Sequence, residues 1–230
     1  MHSPLTLTRR QILAFRRRVG ALDERLPAGE ESLRRAAWAG LQDSMPRAAL
    51  LSLHARVEGI GPSSWEHPSL AQLWGPRYST YVVPKRDFAL FSLGRYPDDA
   101  RSRERAERIA EQLRAHLAGE RRVDGELGRA LGIHPNALRY AAPTGTVAIR
   151  WDGARAPLVW SVPAPRVDPA DARRELARRY LHVFAPATAD GFARWAGISQ
   201  QAAAATFAAL DLVAVRTPSA RLHCSRRTSR

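Results

Sequence analysis

Cysteine is almost absent from this sequence, since Cys224 stands alone in 230 residues. A single thiol can form neither an internal disulfide nor a cysteine-based zinc site. The seven histidines lack the paired spacing of zinc-binding motifs, so the sequence indicates no metal site. Apolar runs are short, and none approaches the ~20 residues that span a bilayer. Arginines interrupt the N-terminal apolar stretch, which argues against a signal peptide and predicts a cytoplasmic protein.

Acidic residues are too few to balance the basic ones. Asp and Glu number 22 against 36 Lys and Arg, which gives a formal charge of +14 and a pI of about 11.3. This excess favours a polyanion as the partner, most simply nucleic acid. Lys85 is the only lysine, so the positive charge is almost entirely arginine. A GC-rich genome would give the same bias without a functional cause, although arginine suits phosphate and guanine contacts better than lysine does.

Residues 123–163 carry the most informative pattern in the chain. Apolar residues at helical spacing predict a helix over Asp124–Leu131, and Gly132 ends it. A proline is tolerated at the first helical position, so a second short helix is predicted over Pro135–Tyr140. Alternating residues on either side of an Asp-Gly turn predict a β-hairpin over 147–160. Helix-turn-helix followed by a hairpin is typical of a winged helix, with a packing module that never touches nucleic acid as the alternative.

A second helix pair near the C-terminus repeats this pattern. Helices are predicted at 188–196 and 199–210, followed by a strand at 212–215, and the Gly-Ile pair at 197–198 matches that at 132–133. The predicted fold class is mainly α with small β-hairpins, an α+β fold of tandem winged helix-turn-helix units. The predicted organisation is a first winged-helix-like lobe (1–96), a central winged helix (97–165), a third helix-turn-helix unit (166–216) and a basic, disordered tail (217–230).

The rest of the chain is predicted to be mostly helical. Thr8 can cap the first helix, and a β-branched and aromatic run predicts one strand at 78–83. The tail has five arginines and no acidic residue from Arg216 onward, which predicts disorder. The remaining predicted helices span 5–20, 30–41, 47–57, 69–73, 85–93, 101–117 and 171–184.

Two groups of residues in the central unit are candidates for DNA contacts. His134, Asn136 and Arg139 lie on the predicted recognition helix, and Asn and Arg are residue types that read base edges. Arg150 and Arg155 flank the predicted tip of the wing, where they would meet phosphates. The alternatives are a solvated helix packed on the hairpin through its aromatic residue, and ordinary exposed arginines.

Three segments together resemble the winged-helix DNA glycosylases of the AlkZ/YcaQ type. They are GLQDSMPRAALLSLHARV (40–57), LGIHPNALRYAAPTGTVAIRWDG (131–153) and LARRYLHVFAPATADGFARWAGIS (176–199). The resemblance covers about residues 5–217 and implies three tandem winged helices that clamp duplex DNA and excise alkylated purines, crosslinks included. It also implies a C-terminal β-barrel, for which this sequence has no counterpart. No cofactor is implied, and a monomer associated with the nucleoid is expected.

The resemblance places the catalytic motif, Gln-x-Gln or Gln-x-Asp in that family, at residues 42–44. Gln42 matches its first residue, whereas Ser44 stands at the second; a histidine that family members often carry in the following strand has no counterpart at Thr80-Tyr81. Gln42 could hold the attacking water, Asp43 could supply negative charge, and Ser44 could hydrogen-bond the water. The alternative is a helix end at which Asp43 or Ser44 serves as the cap. Two functions therefore stay open, a diverged glycosylase and a non-catalytic winged-helix DNA-binding protein.

Overall fold

The fold comes from a computed structural model that describes residues 5–218 and 221–225. Helices and strands are interspersed along the chain. The helices are Arg9–Val19 (α1), Glu30–Ala36 (α2), Ala48–His54 (α3), Phe88–Leu93 (α4), Ala100–Leu117 (α5), Asp124–Leu131 (α6), Pro169–Phe184 (α7), Ala189–Ala196 (α8) and Gln200–Ala208 (α9). The strands are Leu5–Thr6 (β1), Leu41–Gln42 (β2), Leu70–Trp74 (β3), Thr80–Pro84 (β4), Arg122–Val123 (β5), Val147–Arg150 (β6), Leu158–Ser161 (β7), Leu212–Arg216 (β8) and Arg221–Ser225 (β9). All pairs of these strands except β1 with β8 are antiparallel, as in an α+β protein.

Both predicted helix pairs are present, and the α+β class is confirmed. The first pair is α6 followed by the segment Pro135–Thr144, which winds as a 3₁₀-helix and contains a second proline at its end. The second pair is α8 and α9. The side chains of Thr188 and Ser199 cap these helices by accepting hydrogen bonds from backbone nitrogens of the first turn. Gly197 turns the chain between them with φ +74°, a conformation that glycine adopts without strain.

A six-stranded sheet joins the first lobe to the central unit. Its strand order is β2-β4-β3-β6-β7-β5, so strands from both sides of the predicted boundary at residues 96–97 share hydrogen bonds. The helix predicted at 69–73 is wrong, because β3 lies there, paired with β4 along its length and with β6 at Gln72–Ile149. A short apolar run is too short for its periodicity to distinguish a strand from a helix. Here the pairing with neighbouring strands makes it a strand.

The two faces of this sheet carry separate cores. On one face, Leu73, Tyr81 and Val83 pack against α4, α7, α8 and α9. On the other, Trp74 and Ile149 pack against α5, α6 and the 3₁₀ segment. Alternation along the strands accounts for this division, since successive side chains point to opposite faces.

A small second sheet brings the two ends of the chain together. β1 pairs parallel with β8, and β9 pairs antiparallel with β8, giving the order β1-β8-β9. The prediction that residues 217–230 are a disordered tail is therefore wrong at 221–225; residues 219–220 and 226–230 lie outside the described residues. The helix predicted from Leu5 begins only at Arg9, where Thr8 and Gln11 form a capping box.

A buried ion pair ties α7 to the segment just before α4. Arg179 of α7 donates from Nη1 to Asp87 Oδ2 at 2.7 Å and from Nη2 to Asp87 Oδ1 at 3.0 Å. The same guanidinium donates to the backbone oxygen of Trp38 at 2.9 Å and lies 4.9 Å from the centre of that indole. Both side chains of the pair are almost fully buried. Burial costs each charge its hydration, and the opposite charge of the partner offsets that cost.

No helix within the described ranges has the length and apolar character that crossing a membrane requires.

Replacing Arg179 with methionine should lower the free energy of unfolding by about 3–5 kcal/mol, because Asp87 would keep a buried charge without a partner. Urea denaturation of the two proteins measures this difference. Arg178→Met is the matched control, since Arg178 is half exposed and its pair with Glu175 is 3.5 Å long. Its effect should stay within about 0.5 kcal/mol. Equal unfolding midpoints for the two variants would contradict the role given to the buried pair.

Candidate active site

The edge strand β2 positions Gln42. The helix predicted over 30–41 ends at Ala36 instead, and the chain turns at Gly40, where φ is +79°. A Cβ at Gly40 would lie 2.9 Å from the rings of Tyr81 and Phe91, so only glycine lets the backbone pass so close to them. Leu41 and Gln42 then pair antiparallel with β4, which places Gln42 directly opposite Tyr81. The motif therefore begins on a strand rather than on a helix.

The Gln42 amide is fixed in one orientation by two neighbours. Its Oε1 accepts from Nη2 of Arg77 at 3.0 Å, and its Nε2 donates to Oγ of Ser44 at 2.6 Å. A guanidinium only donates, so the amide oxygen must face Arg77 and the amide nitrogen must face Ser44. Both Gln42 and Ser44 are exposed to solvent. The structure thus brings together two of the three predicted catalytic residues at an open edge of the sheet.

Arg77 was not predicted from the sequence. It lies in the turn between β3 and β4, and both Arg77 and Tyr78 adopt the left-handed conformation, with φ of 55° and 58°. A Cβ at Gly197 would lie 3.2 Å from the Arg77 nitrogen, so the turn of the α8–α9 pair packs directly on this backbone. The Gly-Pro dipeptide before Arg77 signals a turn, yet nothing in the sequence indicates that the turn reaches Gln42.

Arg95 supports the Arg77-Tyr78 turn from the protein interior. It is 2% exposed and donates to the backbone oxygens of Trp74 at 2.8 Å and Ala196 at 2.9 Å. Burial lowers the pKa of its guanidinium to about 10, so the group is still charged at neutral pH. That charge lies 4.8 Å from the centre of the Tyr78 ring, which gives the cation a favourable aromatic face.

Tyr81 lies on β4, directly opposite Gln42. Its side chain is 3% exposed. Burial raises the pKa of its phenol, and the positive charge of Arg77 acts in the opposite direction. The phenol therefore stays neutral at physiological pH and supplies no charge next to Gln42.

Asp43 points away from Gln42, to the opposite face of the sheet. Its Oδ1 accepts from the backbone nitrogen of Ala49 at 2.9 Å, and its Oδ2 accepts from Nε2 of Gln72 at 2.7 Å. The residue is 4% exposed, and burial raises the pKa of its carboxyl, while the bonds from Ala49 and Gln72 lower it. Asp43 thus satisfies the N-terminus of α3, the role that the helix-cap alternative predicted for it.

Comparisons with known proteins agree with this fold. The family model "DNA glycosylase AlkZ-like" matches residues 33–228. The chain belongs to the AlkZ-like DNA glycosylase family. Among solved structures, the chain is similar to the DNA glycosylase AlkZ of Streptomyces sahachiroi, with a TM-score of 0.75, 16% sequence identity, and coverage of 96% of this chain and 70% of that one. The comparison with curated proteins gave no match.

Family membership identifies DNA as the class of substrate and N-glycosidic hydrolysis as the class of reaction. The resemblance noted from the sequence is thereby confirmed at the level of the family and of the fold.

The predicted recognition residues lie along the 3₁₀ segment of this AlkZ-like chain. His134 caps the segment, because its Nδ1 accepts from the backbone nitrogen of Asn136 at 3.1 Å. His134 and Asn136 are exposed, and Arg139 is half-buried. Burial raises the pKa of Asp124, and the charge of Arg139 acts in the opposite direction.

Tyr140, at the end of this run, contacts the turn between β3 and β4. Its ring meets that of Tyr78 edge to face at 5.2 Å, and the guanidinium of Arg105 lies 3.8 Å from its centre. The 3₁₀ segment is therefore in direct contact with the residue that follows Arg77.

The two predicted wing arginines have different surroundings. Arg150, at the end of β6, pairs through Nε with Oε1 of Glu66 at 2.5 Å. Arg155 is exposed on the connection between β6 and β7, where its backbone nitrogen donates to Asp152 at 3.0 Å. Within the described residues, the side chain of Arg155 forms no ion pair, whereas that of Arg150 is paired with Glu66. Within the described ranges, no group of three or more His, Cys, Asp or Glu residues could hold a metal ion.

Replacing Asp43 with asparagine should destabilise the protein by about 1–3 kcal/mol, the cost of a buried polar group without its partner. Gln72 donates to the Trp151 oxygen at 3.0 Å and accepts from the Trp151 nitrogen at 2.6 Å, so its amide cannot flip. The new amide nitrogen would then face the amide nitrogen of Gln72, donor against donor. Thermal unfolding should show a midpoint lower by a few degrees.

Asp168→Asn provides the matched control for that experiment. Asp168 caps α7 from the exposed surface, accepting from Ala170 at 2.9 Å and Asp171 at 3.0 Å. Asparagine caps helices about as well as aspartate, so this variant should unfold near the wild-type temperature. A wild-type midpoint for Asp43→Asn would show that the buried acceptor is not needed.

Proposed function

We propose that this chain hydrolyses the N-glycosidic bond of alkylated purines in duplex DNA, with the Gln42 amide holding the attacking water. The observation that carries the proposal is the fixed pair of Gln42 and Ser44 at the exposed edge of β2. Membership of the AlkZ-like family supports the reaction class. The particular lesion, including whether crosslinked bases are released, is part of the proposal.

The reaction depends more on the position of the attacking water than on a strong acid or base. An alkylated purine is already cationic and leaves readily, so the protein must place a water near C1′ of the sugar. Oε1 of Gln42 accepts one hydrogen bond from Arg77, and Oγ of Ser44 accepts one from Gln42, so each oxygen keeps a lone pair. A water that donates to both oxygens would direct its own lone pair outward. Neither group can act as a base near neutral pH, so their contribution is geometric.

The charge of Arg77 has to be accommodated in this mechanism. A cation beside Gln42 would oppose the positive charge that develops on the sugar. A DNA phosphate next to the target nucleotide would neutralise the guanidinium, and arginine matches the geometry of phosphate oxygens. We therefore propose Arg77 as the residue that both orients Gln42 and binds the phosphate of the flipped nucleotide.

A non-catalytic DNA-binding protein is the second candidate function. The observation that favours it is the orientation of Asp43, which leaves the motif without a carboxylate on the Gln42 face. The Gln42 amide is also engaged by Arg77 and Ser44 already. Either function involves DNA, acts without a cofactor and suits a monomer that works in the cytoplasm at the nucleoid.

Gln42→Ala should lower the release of 7-methylguanine from methylated DNA by about 10²–10³-fold, as for other losses of one preorganised hydrogen-bonding group. Duplex binding should not change, because Gln42 contacts water, Arg77 and Ser44 in this mechanism and makes no contact with DNA itself. Ser44→Gln restores the second glutamine of the family motif and should raise base release. Gln112→Ala, on the exposed surface of α5, is the matched control and should leave both properties intact.

The same assay discriminates between the two candidate functions. If wild type and Ser44→Gln both bind duplex DNA but release no more base than buffer alone, the glycosylase proposal fails. The binding-protein function would then be the better description of this chain.

The affinity for duplex DNA should fall steeply with salt, because bound arginines release counterions from the phosphates. Arg155→Ala should flatten the slope of log K against log salt by about 0.9, the value for one phosphate contact. Arg150→Ala should change the slope less, since Glu66 already neutralises that side chain. Filter binding over a salt series measures both, and a larger effect for Arg150 would contradict the assignment of Arg155 as the phosphate contact.

A further inference from the structure

An open trough of about 690 Å³ lies on the face of the six-stranded sheet against which α4 and α7 pack, over the part that these helices leave uncovered. Strands β3, β6 and β7 form its floor, the start of α4 forms one wall and the segment after β7 forms another. Its volume is that of a small-ligand pocket, so it can take a nucleotide-sized group but not a double helix. The residues that matter for its chemistry are Trp65, Arg86, Phe88, Arg121, Arg150 and Trp160.

The trough is separate from the site at Gln42. Gln42 pairs with Tyr81, Tyr81 with Leu73, and Ala148 with Trp160, so one row of side chains crosses the sheet from Gln42 to Trp160. The antiparallel register of β3 and β6 aligns Leu73 with Ala148. Four strand spacings separate the ends of this row by about 19 Å. Helices bury its middle, where Leu73 is 0% and Tyr81 is 3% exposed.

The lining pairs aromatic rings with arginines. The guanidinium of Arg121 lies 4.4 Å from the centre of the Trp160 ring, and that of Arg150 lies 5.7 Å from the centre of the Trp65 ring. Tryptophan and arginine side chains are the groups on which unpaired bases stack. Trp160 is half-buried, so part of its surface stays open to the trough.

The charge of the trough points to an anion. Arg86 and Arg121 are exposed, and Lys85, the only lysine of the chain, lies beside them. Arg150 is the fourth cation, and Glu66 is the one carboxylate among the described lining residues. Since Glu66 pairs with Arg150, the other three cations define a positive rim around a floor with half-buried aromatic side chains.

We infer that the trough binds a short segment of single-stranded DNA. Its unpaired bases stack on Trp160 and Trp65, and its phosphates lie against Arg86, Arg121 and Lys85. A purely apolar ligand would leave the cationic rim without partners, and a simple inorganic anion would not use the aromatic floor. This second site goes beyond the proposed glycosylase function, because it requires no reaction at Gln42.

A labelled thymidine tetranucleotide tests the inference by fluorescence anisotropy in the presence of saturating duplex DNA. The tetranucleotide should bind while the duplex is bound, and Gln42→Ala should not change its affinity. Trp160→Ala should weaken binding by about 5- to 100-fold, the range for one base–aromatic stack, whereas Trp160→Phe should retain most of it. Photo-crosslinking with 5-bromodeoxyuridine in the tetranucleotide should label peptides that contain Trp65 or Trp160.

A charge-matched pair of double variants separates the trough from the general charge of the protein. Arg86→Ala/Arg121→Ala should weaken binding of the tetranucleotide, and Arg9→Ala/Arg10→Ala, which removes two exposed arginines of α1, should not. Thermal unfolding confirms that each variant is folded. Displacement of the tetranucleotide by duplex, equal affinities for all variants, or tighter binding of a uridine tetraribonucleotide would each overturn the inference.

Discussion

The hydrogen bonds of the Gln72 side chain hold the two halves of the central sheet in register. Its amide donates to the Asp43 carboxylate at 2.7 Å and both accepts from and donates to the backbone of Trp151. Gln72 of β3 thus links Asp43, which precedes α3, to the backbone at the end of β6. Pro46 lies against the same hairpin, since a Cβ at Gly153 would come within 2.7 Å of its Cα. The strand that carries Gln42 depends on this network, because residue 43 is anchored to one face of the sheet while residue 42 is presented on the other.

This anchoring gives each residue of the motif a different role. Alternation along a strand sends Asp43 inward and leaves Gln42 and Ser44 outside. The Asp43 carboxylate therefore accepts a hydrogen bond from the N-terminus of α3 and does not reach Gln42. Arg77 orients the exposed amide of Gln42 instead. Serine is shorter than glutamine or aspartate, so Ser44 leaves more space beside Gln42 than either of those residues would. The experiments with Ser44 address that difference directly.

The helices could be predicted from the sequence because their signals are local. Thr8, Thr188 and Ser199 all cap the helices that follow them, and α6 has the predicted bounds. The strand β3 could not be predicted, since its identity depends on partners in β4 and β6. Arg77 was missed for the same reason: its contact with Gln42 joins residues 35 positions apart in the chain. Gln42 itself was found through the resemblance to a family, not through any property of its neighbours in sequence.

The left-handed turn at Arg77-Tyr78 connects the surface predicted to bind DNA with the residue proposed to act on it. Two consecutive non-glycine residues in this conformation cost of the order of 1–2 kcal/mol each, so packing must hold them there. Arg95 supports Tyr78 from the buried side, Gly197 packs on the Arg77 backbone, and Tyr140 meets Tyr78 edge to face at 5.2 Å. Each of these contacts comes from a different part of the fold, with Gly197 in the α8–α9 turn and Tyr140 in the 3₁₀ segment. A shift of the 3₁₀ segment on binding DNA would therefore reach Gln42 through a single turn, because Tyr140 touches Tyr78 and Arg77 holds the amide oxygen.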